Sequence, residues 1–208
     1  MSPPTRIPIA VFGAGGFGRE VAWLLSDLPD QFEVLGFVAD QAAEVSLNGR
    51  PVYQWEAFRE RFPRAALAVA VGRPALRAEL VGRGVEAGYS FPTIIHPSVQ
   101  HSTFIECGEG TVLCAGNILT VDIVIGRHVH VNLACTIGHD VRIGDFATLS
   151  PGVNVSGNVH IGRGAYIGTG ASIINGTPDR ALLIGEHAVV AAGACVTADV
   201  PAQTMVAG

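Results

Sequence analysis

The run LCAGNILTVDIVIGRHVHVNLACTIGHDVRIGDFATLSPGVNVSGNVHIGRGAYIGTGASI, Leu113 to Ile173, decides the fold. An aliphatic residue falls on every sixth position: Leu113, Leu119, Ile125, Val131, Ile137, Ile143, Leu149, Val155, Ile161, Ile167 and Ile173. In a chain that is 49% hydrophobic, eleven such matches in a row have chance odds of roughly 1 in 2000. The series resumes at Ile184, Val190 and Val196 after a step of eleven, and Val99 and Ile105 precede it across a step of eight. A small or β-branched residue follows four positions later, as at Val129, Val141, Ala147, Val153 and Ala165. Neither the helical nor the strand period sustains a repeat of six. A coil of three short strands with about 18 residues per turn does. The aliphatic side chains fill a three-sided prism. The glycines that directly follow them, such as Gly126, Gly138 and Gly144, are read as relaxing the backbone at its corners.

The chain before this run has another rhythm. Ile7 to Phe12 is a continuous apolar run, as in a buried parallel strand. The glycine loop Gly13 to Gly18 follows, and Arg19 to Leu28 carries a helical apolar face. Phe32 to Val38 and Ala65 to Val71 read as strands, and Trp55 to Phe62 and Pro74 to Val81 as helices. Alternating strands and helices predict a small Rossmann-like parallel sheet of about four strands over residues 1–93, and the β-helix over 94–208. The fold class is thus α/β plus β.

Composition narrows the function. With 208 residues and only 15% charged, the chain can bury a sizeable core. A net charge of −5 without basic runs offers no nucleic-acid footprint. Met1 to Ile9 does not read as a signal peptide, and no apolar run is long enough to span a membrane. A cytoplasmic location is expected. Cys107, Cys114, Cys135 and Cys195 lack metal-ligand spacing and read as buried reduced thiols.

Several blocks carry a resemblance: GAGGFGRE at Gly13 to Glu20, GFVAD at Gly36 to Asp40, IGHDVRIGDF at Ile137 to Phe146, SPG at Ser150 to Gly152, and TADVP at Thr197 to Pro201. Through them the chain resembles the hexapeptide-repeat acyltransferases, and more closely the sugar and sialic acid acetyltransferases of the NeuD and PglD group. The resemblance implies a left-handed β-helix, a homotrimer with active sites between prisms, acetyl-CoA as co-substrate with no metal, and an N-terminal domain holding a sugar acceptor.

Acetyl transfer from a thioester to an amine needs a base near neutrality, for which histidine is suited. His139, two residues after Ile137, lies at a prism corner where side chains point outward. By resemblance it is the base, and Asp140 orients its ring. Gly157, one turn of the coil later, is expected to offer its N–H to the developing oxyanion. Thr148 stands where some relatives carry a second histidine; it can hydrogen-bond but not act as a base, and is assigned to the coenzyme side. Asn175 opens NGTPDRALL, an interruption of the hexads expected to border the coenzyme groove. Asn132 matches a polar position near the acceptor. The other histidines rank lower.

The loop glycines Gly13, Gly15 and Gly18, with Asp40 beyond, have the spacing of a dinucleotide site. The resemblance assigns this loop to the acceptor instead: Gly13, Gly15, Gly16, Phe17, Asp40, Gly72 and Arg73, the last near Arg77. The expected reaction is N-acetylation of a nucleotide-linked amino sugar. The alternatives are O-acetylation of a sugar or sialic acid, a γ-type zinc hydratase, and a non-catalytic nucleotide-binding protein.

Overall fold

The computed structural model describes residues 6–41 and 45–207. The reading of Met1 to Ile9 therefore falls partly, and Gly208 wholly, outside the described residues. The contacts divide the chain into two units, one running to Gly72 with Leu76–Pro92, the other Arg73–Ala75 with Thr93 onward.

The first unit is a five-stranded mixed sheet flanked by three helices. In chain order its elements are β1 (Ile7–Phe12), α1 (Gly16–Ser26), β2 (Phe32–Ala39), β3 (Ser46–Leu47), β4 (Arg50–Gln54), α2 (Trp55–Arg61), β5 (Ala66–Val69) and α3 (Pro74–Glu86). The sheet order is β3-β4-β2-β1-β5, all parallel except the β3–β4 pair. β1 lies between β2 and β5, so the chain, having run outward through β2 and β4, returns to the other side of β1 and reverses its direction of travel across the sheet beside the glycine loop. That is where open α/β sheets bind ligands. The sequence reading missed the β3–β4 hairpin although its signal was present. Asn48 and Gly49 have φ of 50° and 74°, the left-handed pair that a tight hairpin turn requires. Helix α1 begins at Gly16, three residues before the apolar face, because a glycine loop leaves no pattern to read.

The second unit is a three-sided parallel β-helix. Its first face carries seven strands, from Ile94–Ile95 to Met205–Val206, the second six, from Gln100–His101 to Cys195–Val196, and the third five, from Ile105–Cys107 to Leu182–Ile184. Each residue stacks on its counterpart in the next coil, as in Leu113↔Val131↔Leu149↔Ile167. These aliphatics and the smaller residues two positions before them form one continuous buried column.

Two details differ from the reading of the repeat. The step of eight disappears, because His101 pairs with Leu119 and Cys107 with Ile125. The hexads run on through Ile95, His101 and Cys107, and the polar His101 and the Cys107 thiol hid the register. Val99 and Ile105 occupy the small-residue positions and are only partly buried. The glycines directly after the aliphatics do not supply the corner conformation either. The left-handed position is two residues further on: Gly110, Gly116, Asp122, His128, Ala134, Asp140, Phe146, Gly152, Asn158, Gly164 and Gly170 all have positive φ. The directly following glycines answer to packing. A Cβ on Gly144 would lie 2.6 Å from the Arg163 nitrogen of the next coil.

The cysteines are free; Cys114 and Cys135 are buried and Cys107 half-buried, but Cys195 is exposed, contrary to expectation. Burial pushes the Cys107 and Cys135 thiols up to about 11. Among the described residues no helix is long and apolar enough to cross a membrane.

Candidate active site

The corner between the second and third faces recurs once per coil as Asp122, Asp140 and Asn158, each with a left-handed backbone. An acidic or amide side chain tolerates that conformation better than most. At this corner the β-helix carries an open groove of about 800 Å³. It is lined by residues of four successive coils: Asp122, then His139, Asp140 and Arg142, then Gly157, Asn158 and His160, then Asn175 to Pro178.

His139 and Asp140 are both exposed, and the His139 Nδ1 lies 2.8 Å from Asp140 Oδ2. An ionised carboxylate only accepts, so in the neutral ring Nδ1 carries the proton and Nε2 has the lone pair. The ring leans over Gly157, where an added Cβ would lie 2.4 Å from Nε2. Gly157 is therefore glycine because the imidazole itself occupies the space of a side chain. Its carbonyl accepts from Gly176 N–H at 3.0 Å, and the Asn158 N–H donates to the His139 carbonyl at 2.8 Å. The dyad is thus laced into the next coil by backbone bonds. The Gly157 N–H makes no hydrogen bond among the described residues.

The interruption after Ile173 forms a small hairpin. Thr177 and Arg180 exchange backbone hydrogen bonds of 2.8 and 3.2 Å. Asn158 Nδ2 donates to the Thr177 carbonyl at 2.6 Å. On the other side Arg180 is ion-paired with Asp199, whose carboxylate also accepts from Leu183 N–H at 3.0 Å. Asn175 lies at its foot, in the groove with His139.

Two sequence candidates lie elsewhere on the β-helix. Thr148 is 5% exposed on the first face, between His130 and Tyr166 in the ladder, and does not line this groove. Asn132 is at the preceding corner, its Oδ1 accepting from Leu133 N–H at 2.7 Å. Conversely, Asp122, Arg142, Asn158 and His160 line the groove and were not singled out for it. The available signal was arithmetic: each stands one full coil from another of the groove residues, Asp122 and Asn158 from Asp140, Arg142 from His160.

In the first unit the glycine loop divides by role. Gly13 has φ of 127° and sits 2.8 Å, at its missing Cβ, from the Ala70 carbonyl. A Cβ on Gly18 would lie 1.9 Å from the Gly13 oxygen. These two glycines serve the packing of loop and helix. Gly15 and Gly16 are exposed, and a Cβ on Gly15 would meet nothing within 4 Å. Gly15 caps α1 without a side-chain bond, and its first turn holds no acid, which leaves that end favourable to an anion. Phe17 is half-buried in the first turn.

Asp40 receives a bidentate pair from Arg83 at 2.9 and 2.7 Å. The hydrogen bond from Arg83 holds its carboxyl below the usual range against a smaller effect of burial. Both oxygens that a dinucleotide site would turn to a ribose are so engaged. Arg77 is fully buried and donates to the Val71 and Gly72 carbonyls at 2.8 and 3.3 Å. Burial pushes its guanidinium down to about 9, and it is spent on the end of β5. Arg73 is exposed.

Comparison with known proteins supplies the family. The PglD N-terminal domain model matches residues 8–83. The chain is 33% identical over 180 residues to GDP-perosamine N-acetyltransferase of Escherichia coli O157:H7, covering 84% of this chain and 81% of that protein. WeeI from Acinetobacter baumannii AYE superposes with a TM-score of 0.88 at 36% identity, over 98% of this chain and 97% of that one. The acetyltransferase domain of PglB from Neisseria gonorrhoeae FA1090, in complex with acetyl coenzyme A, gives 0.88 at 32% identity over 98% and 97%. The β-helix has the left hand of this fold, against the right-handed rule for parallel crossovers. This chain belongs to the PglD-type family of acetyl-CoA-dependent sugar acetyltransferases.

Proposed function

We propose that the protein transfers the acetyl group of acetyl-CoA to the amino group of a nucleotide-linked amino sugar. The observation that carries the mechanism is the His139–Asp140 pair at 2.8 Å, with Nε2 turned to Gly157 in an open groove. The curated relative's action on GDP-perosamine and the PglB domain's complex with acetyl coenzyme A support the choice of substrates.

The amine nitrogen attacks the thioester carbonyl carbon, forming the C–N bond. His139 Nε2 takes the amine proton, and Asp140 holds the ring in the tautomer that can accept it. The Gly157 N–H donates to the carbonyl oxygen as it gains charge. The C–S bond then breaks, and the proton passes from His139 to the departing thiolate. The products are the amide and free CoA.

In this reading residues 94–208 hold the coenzyme and residues 1–93 hold the acceptor. The loop of Gly15 and Gly16 faces its phosphate or sugar. The homotrimer implied by the resemblance and the cytoplasmic location expected from the sequence belong to the same proposal. The test is thiol release from acetyl-CoA against a panel of GDP-, UDP- and CMP-sugars with and without amino groups. Release only with amino sugars supports the proposal; release only with hydroxyl acceptors moves it to O-acetylation, and no release with any sugar removes it. His139→Ala should lower kcat by at least about 10²-fold. Wild-type turnover in that variant would take His139 out of the mechanism.

A further inference from the structure

The chain contains no lysine; all 13 of its Lys-plus-Arg residues are arginine. Between Thr93 and the C-terminus there are four: Arg127, Arg142, Arg163 and Arg180. Arg127 lies 3.1 Å and Arg163 3.8 Å from the Asp145 carboxylate, which they share at another corner, and Arg180 is paired with Asp199. Arg142 makes no side-chain hydrogen bond or ion pair among the described residues. It is also the arginine of the four that lines the groove of His139.

Its position follows from the repeat. Arg142 precedes inward-facing Ile143 on the third face and points outward. One coil on, in register with it, stands His160, which lines the same groove. The acids in the groove are Asp122 and Asp140, and Asp140 is turned to His139. A permanent cation thus lines the groove of the dyad, in register with the nitrogen donor His160, with no carboxylate tied to it. Arginine left unpaired in a cleft suits bidentate recognition of a phosphate.

We infer that Arg142, with His160 beside it, is an anion subsite that takes a phosphate of one of the two phosphate-bearing substrates. This rests on the acetyltransferase reading, which brings two such molecules to one groove: the coenzyme, with a 3′-phosphate and a diphosphate, and the nucleotide sugar, with a diphosphate. The role is one of binding and positioning. Arg142 takes no part in proton transfer.

The test is calorimetric titration of the full chain and of Arg142→Gln with CoA, 3′-dephospho-CoA and GDP. Circular dichroism of each variant confirms the fold. Arg142→Gln should bind one ligand about tenfold more weakly, the loss of one charge-assisted contact, and leave the other unchanged. A loss for CoA but not for 3′-dephospho-CoA identifies the 3′-phosphate. An equal loss for both forms identifies the coenzyme diphosphate, and a loss for GDP alone identifies the acceptor. Arg142→Lys, which keeps the charge, should recover part of the affinity. If the wild type binds CoA and GDP and Arg142→Gln binds both equally well, the subsite is overturned while the acetyltransferase reading stands. If the wild type binds neither CoA nor GDP, that reading itself is overturned, and the subsite with it.

Discussion

His139 and Gly157 share one space, and that arrangement sets the tolerance of the site. An alanine at 157 would place a Cβ 2.4 Å from Nε2, closer than non-bonded atoms approach. The ring must swing away, and a displacement near 1 Å at a reacting group costs up to about 10²-fold in rate. Gly157→Ala should therefore lower kcat at least about tenfold. The side chain of His139 is exposed, so its displacement removes little packing and the melting temperature should stay near that of the wild type. Normal turnover in that variant would mean the observed ring position is not the reactive one. At this scale the sequence named the dyad, because the block IGHDVRIGDF carries its own resemblance. It passed over Arg142 and His160, since an outward position on a β-helix face is under no constraint from the hexad pattern. Only the partners left to each side chain separate a solvated arginine from one placed in a groove.

Each strand of the β-helix is two or three residues long, so the corners carry as much of the order as the strands. One corner contains both kinds of glycine. A Cβ on Gly168 would meet the Ala192 nitrogen at 2.5 Å, whereas Gly170, with φ of 68°, has nothing within 4 Å of the added atom. Gly170→Ala should cost only the left-handed backbone penalty of about 1–2 kcal/mol. Gly168→Ala must push adjacent coils apart and should cost about 3 kcal/mol or more. Denaturant melts of the two variants measure this, and equal losses would contradict the packing account. Sequence placed glycine at the corner correctly and gave it the wrong reason. A glycine tolerated for its φ and one required by a neighbouring backbone look alike until the neighbour is in place.

A second prediction at this scale concerns Asp145. It accepts the Arg127 N–H at 2.8 Å and the Arg127 guanidinium, tying adjacent coils together. Burial works to raise its carboxyl, but the Arg127 backbone N–H and guanidinium outweigh it and hold the group below the usual range. A folded-state value below the unfolded one, near 3.9, stabilises the fold above that pH, and the contribution is lost as pH falls through the folded value. Asp145→Asn should thus be less stable than the wild type at pH 7, by about 1–2 kcal/mol. The gap should begin to shrink as pH falls below about 4. A gap that stays constant as the pH is lowered further would assign the effect to packing rather than charge.

Across the whole molecule, one departure from the period shapes the candidate site. Ile173 to Ile184 takes eleven residues where the repeat needs six, yet Ile184 still stacks on Ile161 across the gap. Leu182 pairs with Val159, the place residue 177 would hold in an unbroken coil. Excising 177–181 therefore restores the register of the other coils. The shortened protein should fold with a melting temperature close to the wild type. Lacking the hairpin's edge of the groove, it should show a KM for acetyl-CoA raised several-fold. An unchanged KM would show that the hairpin is only a connection.

The sequence alone determined that an aliphatic at every sixth position builds a three-sided coil, because only one buried column satisfies that period. It also determined that strands alternating with helices precede the coil, and that a histidine–aspartate pair stands on a corner. The tertiary structure decided which residues meet. It set the register of the first coil, where His101 and Cys107 replace the expected aliphatics. It put Thr148 on another face and brought Arg142 and His160 beside His139. The physical reason is that the interior repeats identically on all three faces, while an outward side chain takes its surroundings from the coils above and below, a full turn away along the chain in either direction.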